Sequence, residues 1–312
     1  MSGIIGVSPD MKTGNIPKLP YTTITYSGYG LYSFTKTGSH IFHNPVGRHY
    51  QILLIGGGGA GGGMGWAGSN GGAGGGAGGF LFYDFQYIEK GDYRIHVGAG
   101  GVSRNDQSAG SGNENHHLNN CSAGGTTSFE GLYRAARGGG TGGGFANANS
   151  QAGGHGGSGG GGGNDSGAYG SGLADEGYNG GSATYGTDGF AGGGGGAKEI
   201  GQVAGVGGDG ITEGETVFDH GWTRGNCTFP SNFQNGSGNL AYCGGGGSGR
   251  WTNNGANGGA GGGGNGGTQG NHGSDGTNER GGGGGGGSAE SGALNRKGGN
   301  GGSGLILMRW QT

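Results

Sequence analysis

Charged residues are scarce in this chain. Among its 312 residues, 16 Lys and Arg oppose 19 Asp and Glu, so the net charge is −3. A chain of this composition has no basic patch with which to hold a polyanion, and it has no acidic tail. We therefore expect no nucleic-acid partner.

Long apolar runs are also lacking. The longest, Gln51–Ile55 and Leu305–Met308, are far shorter than the roughly 20 residues that a membrane-spanning helix needs. The N-terminal residues 1–14 have neither a basic region nor a long apolar one, as a secretory signal would. These features predict synthesis in the cytosol, no membrane insertion and no cleaved signal.

Cysteine and proline are rare as well. Cys121, Cys227 and Cys243 form no CxxC pair and leave at least one thiol unpaired, so we expect small buried or reduced thiols, without a disulfide framework or a zinc site. The 5 prolines exclude collagen, which needs abundant proline and a strict Gly-X-Y repeat.

Glycine is what the chain has in excess, at 100 of 312 residues. Its runs carry little charge and alternate with aromatic residues and apolar strands, which favours order over a disordered linker. Ordered glycine can form a left-handed helix of three residues per turn, of the polyproline II type, whose N–H and C=O groups all point outward. We expect such helices to pack side by side, first in residues 56–79 and then at 138–144, 153–163, 192–196, 244–249, 258–267 and 281–287.

The remaining sequence predicts an all-β protein. Residues 1–20 contain three prolines and form an extended arm, and residues 21–137 form a β-sandwich-like frame. Within it, Phe80–Val97 alternates like a β-hairpin. The apolar segment 303–312 is a final strand that must pair with the early strands. Residues 138–302 are then one long glycine-rich excursion.

No motif points to catalysis. The sequence G-x-G-x-x-G within Ile55–Gly61 follows a strand, but a dinucleotide site needs a helix next, and more glycine follows. Adjacent His116 and His117 point apart and have no spaced third ligand, which favours a solvated loop over a metal site. We expect no enzyme, no cofactor and no metal.

Large aromatic side chains recur in the loops between glycine runs. They either cap the runs and fill a small core, or they form a recognition surface, since Tyr and Trp give large rigid contact areas and stack on sugar rings. The candidate receptor-binding residues are Tyr169, Tyr178, Tyr185, Phe190, Trp222, Phe229, Tyr242 and Trp251.

The order of several pieces resembles a known family. QILLIGGGGAGGG, HVGAGG, GGTTSF, ARGGGTGGG and the closing GGSGLILMRW are similar, in this order, to the glycine-rich domain of bacteriophage tail-fibre and related virion proteins. The middle region resembles in style the receptor-binding tips of T-even-like long tail fibres, whose glycine runs stack as polyglycine helices. The opening SGIIGVSPDMKTG is similar to the start of structural proteins of marine and cyanobacterial phages.

The resemblance implies a virion structural protein made in the host cytoplasm. Its N-terminal arm would dock on other virion proteins. The aromatic loops would bind a host cell-surface glycan or an outer-membrane protein, as in a tail-fibre adhesin. One alternative is a purely structural decoration or fibre subunit that packs against its own copies, often as a trimer. Another is a glycine-rich surface or ice-binding protein.

Overall fold

The computed structural model describes residues 22–26, 28–63, 71–103, 121–146, 149–150, 152–163, 167–184, 191–203, 205–221, 225–234, 239–250, 254–288 and 296–312. Within these ranges the chain has no helix, and the predicted all-β class is confirmed. The predicted arm, residues 1–20, lies outside them. The strands are β1 (Thr22–Tyr26), β2 (Tyr29–Phe34), β3 (Gly38–Asn44), β4 (Arg48–Ile55), β5 (Phe80–Ile88), β6 (Gly91–Val97), β7 (Ser128–Phe129), β8 (Phe145–Ala146), β9 (Asn149–Ser150), β10 (Ile211–Thr212), β11 (Thr216–Phe218), β12 (Asn226–Thr228), β13 (Ala241–Tyr242) and β14 (Leu305–Gln311).

The largest sheet is antiparallel and has the strand order β1-β2-β14-β4-β5. Strand β14 lies at its centre, where Ile306 is paired with Phe34 on one side and Leu54 on the other. The predicted pairing of the C-terminal strand with the early strands is therefore confirmed. After β5 the chain leaves this sheet, touches its β5 edge through the bridge between Phe82 and Asp219, and adds its central strand with β14.

Both faces of this sheet are covered. On one face, alternate side chains such as Phe34, Leu54 and Ile306 pack against the second sheet, β3-β6-β7. On the other face, residues such as Leu53 and Leu307 pack against a layer that contains Val217, Phe229, Phe233 and Tyr242. Because successive side chains of a strand point to opposite faces, double coverage explains the unbroken apolar runs of β4 and β14.

The predicted hairpin over Phe80–Val97 is wrong, although its two strands are present. Strand β5 pairs with β4, and β6 pairs with β3 and β7, so the turn between β5 and β6 is a corner that joins two sheets. The buried Asn44 side chain holds this corner, since its amide donates to the carbonyls of Ile88 (3.1 Å) and Glu89 (2.6 Å). Alternation alone predicts a strand pair but not the partner of each strand.

The glycine segments hydrogen-bond to one another with a repeat of three. Along residues 56–62, the first, fourth and seventh N–H groups donate to segment 73–79, the second and fifth to 122–125, and the third and sixth to 299–302. These N···O distances are 2.8–3.2 Å. Successive N–H groups thus donate to three neighbouring segments in turn, and every third residue donates to the same segment again.

The carbonyl groups of the same segment point to three other neighbours. They accept N–H groups from residues 139 and 142, from residue 101, and from residues 284 and 287. Six segments thus surround residues 56–62, which are buried throughout. This repeat of three with outward-pointing backbone groups is the pattern expected of a polyproline II type of helix, and the helix type itself stays a prediction.

Segment 72–79 repeats this pattern. Its N–H groups donate in rotation to 281–287, 137–143 and 192–195. Glycine segments from the predicted frame and from the predicted region 138–302 therefore share one hydrogen-bond network, which we call the glycine stack.

Close approach within the glycine stack requires glycine at particular positions. A Cβ atom added to Gly59 would overlap the backbone carbonyl of Gly140, whereas one added to Gly63, at the end of the same segment, would come no nearer than 3.3 Å to Arg296 O. The two positions differ in packing and not in residue type.

We predict that Gly59→Ala lowers the free energy of unfolding by about 1–3 kcal/mol more than Gly63→Ala, because overpacking in a close-packed interior carries a cost of that size. Both changes reduce the entropy of the unfolded chain alike, so Gly63→Ala is the matched control. Urea unfolding measures the difference. Equal stabilities would contradict the stack.

Candidate functional site

An open groove of about 780 Å³ lies between the glycine stack and strand β11. Its exposed large apolar side chains are Tyr178, Ile200 and Phe218, with exposed fractions of 49%, 60% and 40%. Lys198 and Glu215 also line it. We call it the Tyr178 groove.

One wall is the turn 173–178, which is fixed to the sheet. Glu176 is buried, and its carboxylate accepts hydrogen bonds from Arg134 Nη2 (3.1 Å) and the Arg137 amide (2.8 Å). Its own carbonyl accepts the Phe80 amide at 3.0 Å. Asp175 has a φ of 65°, a left-handed conformation that Asp adopts more readily than most residues. These contacts hold the backbone beside Tyr178 in place.

Tyr178 itself extends from the glycine stack. Its amide donates to Gly196 O at 3.0 Å and its carbonyl accepts the Gly159 amide at 2.9 Å. The backbone is thus hydrogen-bonded on both sides while the side chain stays half exposed.

The opposite walls come from the loop at Ile200 and from β11. The Lys198 amide donates to Asp209 O (3.0 Å), and the Gly201 amide donates to Asn179 O (2.9 Å), which ties this loop to the residue after Tyr178. In β11, Val217 enters the core while Thr216 and Phe218 face outward. The strand's alternation therefore places Phe218 in the groove.

Lys198 Nζ donates to Glu215 Oε1 at 2.6 Å across the groove. Burial acts to raise the pKa of Glu215, but hydrogen bonds from Lys198 and from the Thr212 amide outweigh it, and the pKa is lowered. The same side-chain hydrogen bond raises the pKa of Lys198. Both groups are charged at neutral pH, and the pair adds no net charge to the groove.

The eight predicted receptor-binding residues have different environments. Tyr169 and Tyr178 are exposed, at 44% and 49%, and only Tyr178 among the described candidates lines the groove. Phe229 and Tyr242 are fully buried, so an exposed contact role is wrong for them and the core alternative holds. The candidates outside the described residues are Tyr185, Phe190, Trp222 and Trp251.

Phe229 and Tyr242 belong to the layer that packs on the second face of the large sheet. Phe229 packs edge-on against Phe80, with ring centroids 5.4 Å apart. Tyr242 donates to Glu213 Oε1 at 3.1 Å, and burial raises its pKa. Both side chains are buried because they pack on the second apolar face of the large sheet. The sequence alone did not show which aromatic residues would do so.

Sequence reasoning missed Ile200 and Phe218. Ile200 stands in a charged loop, and Phe218 belongs to the short pattern Thr216-Val217-Phe218, whose alternation is the one signal that could have placed it outward.

All three cysteines are free thiols, as predicted. Burial raises the pKa of Cys227 to about 12, and Cys243 is fully buried. In the described parts of the chain, no three His, Cys, Asp or Glu side chains are grouped as a metal site would require. The same parts hold no helix of the length and apolarity needed to cross a membrane.

Residues 35–311 match the model of a family described as "Glycine-rich domain". The chain belongs to this glycine-rich domain family. A comparison with curated proteins gives no match.

We predict that Glu215→Gln makes stability less sensitive to acid. A carboxyl whose pKa is lowered by folding contributes stability above its ordinary value, here 4.5, and loses it as the pH falls through the folded value. For a partly exposed pair the effect is at most about 1 kcal/mol. Urea unfolding at neutral and acidic pH measures it.

The control is Glu199→Gln, which removes an exposed carboxylate next to Lys198 in sequence. An equal acid sensitivity of the two variants would contradict a stabilising Lys198–Glu215 pair.

Proposed function

We propose that this protein is a component of a tailed-phage virion, in the tail fibre or tail tip, and that it attaches non-covalently to the host cell surface. The virion setting derives from the order of its glycine-rich pieces. The observation that carries the binding role is the Tyr178 groove, in which exposed apolar side chains stand on a hydrogen-bonded backbone.

The groove has the properties of a recognition surface. Isolated apolar residues are common on protein surfaces, but a contiguous apolar patch marks an interaction site. Tyr178, Ile200 and Phe218 line one concavity together. Because the backbone on either side of Tyr178 is already fixed, little conformational entropy remains to be lost on binding.

The lining favours a protein loop as the partner at this groove. Beside the rings of Tyr178 and Phe218 stands the branched aliphatic side chain of Ile200, which is 60% exposed and pairs better with apolar side chains of a protein than with a sugar. The charge of Lys198 is balanced by Glu215, so neither a strongly acidic nor a strongly basic partner is selected. We propose a loop of an outer-membrane protein.

Replacing Tyr178 or Phe218 with Ala is expected to weaken binding of the purified, fluorescently labelled protein to host cells about tenfold or more, since a central aromatic contact is worth roughly 2 kcal/mol. Both side chains are half exposed, so stability should change little. Tyr133→Ala is the control, because Tyr133 is 80% exposed and does not line the groove.

Unchanged cell binding in both variants would overturn the site. If the variants instead alter self-association measured by sedimentation, the groove contacts a further copy of the chain, and the structural alternative of a fibre-building subunit replaces the adhesin.

A further inference from the structure

A second concavity of about 420 Å³ lies on the large sheet, where β14 ends and β4 begins. The lining residues that matter here are Gln51, Asp84, Phe85, Arg309 and Trp310. It shares no lining residue with the Tyr178 groove. We call it the sheet-edge cleft.

The strands shape this cleft directly. The pairing of β4 with β5 shifts register between Tyr50 and Ile52, which changes how side chains project from the two strands at that point. Across the sheet, the Trp310 ring lies over Gly30, where any side chain would collide with it. Both features lie within strands of the hydrogen-bonded sheet, so the cleft has a rigid base.

One wall is a fixed chain of planar polar groups. The guanidinium of Arg309 lies between the rings of Tyr29 and Phe233, at 4.4 and 4.6 Å. Its Nε and Nη2 donate to Gln51 Oε1, at 2.9 and 2.7 Å. This orients the Gln51 amide, whose Nε2 donates to Asp84 Oδ1 at 2.7 Å.

The backbone at Asp84 is anchored as well. The Asp84 amide donates to Oδ1 of the fully buried Asp219 at 2.9 Å. Oriented donors and acceptors of this kind give a site specificity, because their geometry is set before a ligand arrives.

The other wall is aromatic. The Phe85 ring is 56% exposed and stacks on His49, with centroids 3.9 Å apart and an interplanar angle of 11°. The cleft thus combines an exposed, supported ring face with polar groups that both donate and accept.

The charges in the cleft select against an ion. Asp84 is negative and Arg309 is positive, and Gln51 links the two, so an anion meets a carboxylate and a cation meets a guanidinium group. A neutral ligand with an apolar face and several hydroxyls satisfies both walls, since a hydroxyl both donates and accepts. A hexopyranose has these properties: one face of its ring carries C–H groups and its edge carries hydroxyls.

We propose that the sheet-edge cleft binds a neutral hexopyranose. The sugar's C–H face stacks on Phe85, and its hydroxyls donate to Asp84 and accept from Arg309. The assignment rests on the cleft alone and stands apart from the attachment function proposed for the Tyr178 groove.

Saturation-transfer NMR with methyl α-D-glucopyranoside, methyl α-D-mannopyranoside and methyl β-D-galactopyranoside tests this. At least one is expected to bind with a Kd of roughly 1–10 mM, a weak affinity suited to a single small ring. Phe85→Ala and Asp84→Asn should each weaken binding about tenfold, through loss of stacking in one and of a charged acceptor in the other.

Tyr133→Ala, an exposed aromatic outside the cleft, should bind the same sugar unchanged. Absence of binding for all three neutral glycosides at about 10 mM, the weak end of the expected range, would overturn the proposal. So would equal affinity in wild type, Phe85→Ala and Asp84→Asn, or tighter binding of methyl β-D-glucuronide, an acidic sugar. None of these outcomes bears on cell binding through the Tyr178 groove.

Discussion

Backbone hydrogen bonds between glycine segments are the interaction on which the rest of this structure depends. Glycine loses more conformational freedom on folding than any other residue, and the stack has few side chains with which to compensate. Backbone hydrogen bonds offset this loss: the N–H and C=O groups of residues 56–62 bond to six neighbouring segments. Glycine is needed for the same reason, because added Cβ atoms would meet neighbouring carbonyls.

The β-sheets and the glycine stack complete each other. Strands β4 and β5 run directly into and out of the glycine segments 56–63 and 71–79, and β14 follows segment 296–302. The sheet thereby fixes where these segments begin and end. Residues of the segments that connect the glycine runs, including Phe229 and Tyr242, pack on the second face of the sheet. Surface side chains such as Tyr178 and Ile200 are held by the same backbone network.

Much of the fold followed from local pattern. Apolar alternation located the strands, and the closing position of β14 followed from its isolated apolar run. The pairing of the strands did not follow from the pattern, because β5 and β6 have the same alternation but belong to different sheets. The site was harder: Phe229 and Tyr178 are both aromatics among glycines, and only the tertiary contacts make one core and the other surface. Ile200 had no distinguishing sequence signal, and Phe218 had only the alternation of a three-residue strand.

Amide hydrogen exchange of residues 56–62, followed by NMR, tests the glycine stack most directly. Amides that are hydrogen-bonded in a buried segment exchange only through opening of the structure, with a free energy that approaches that of global unfolding. The account predicts strong protection of all seven amides, since each has a carbonyl acceptor in a neighbouring segment. Exchange at the rate of an unstructured peptide would contradict it.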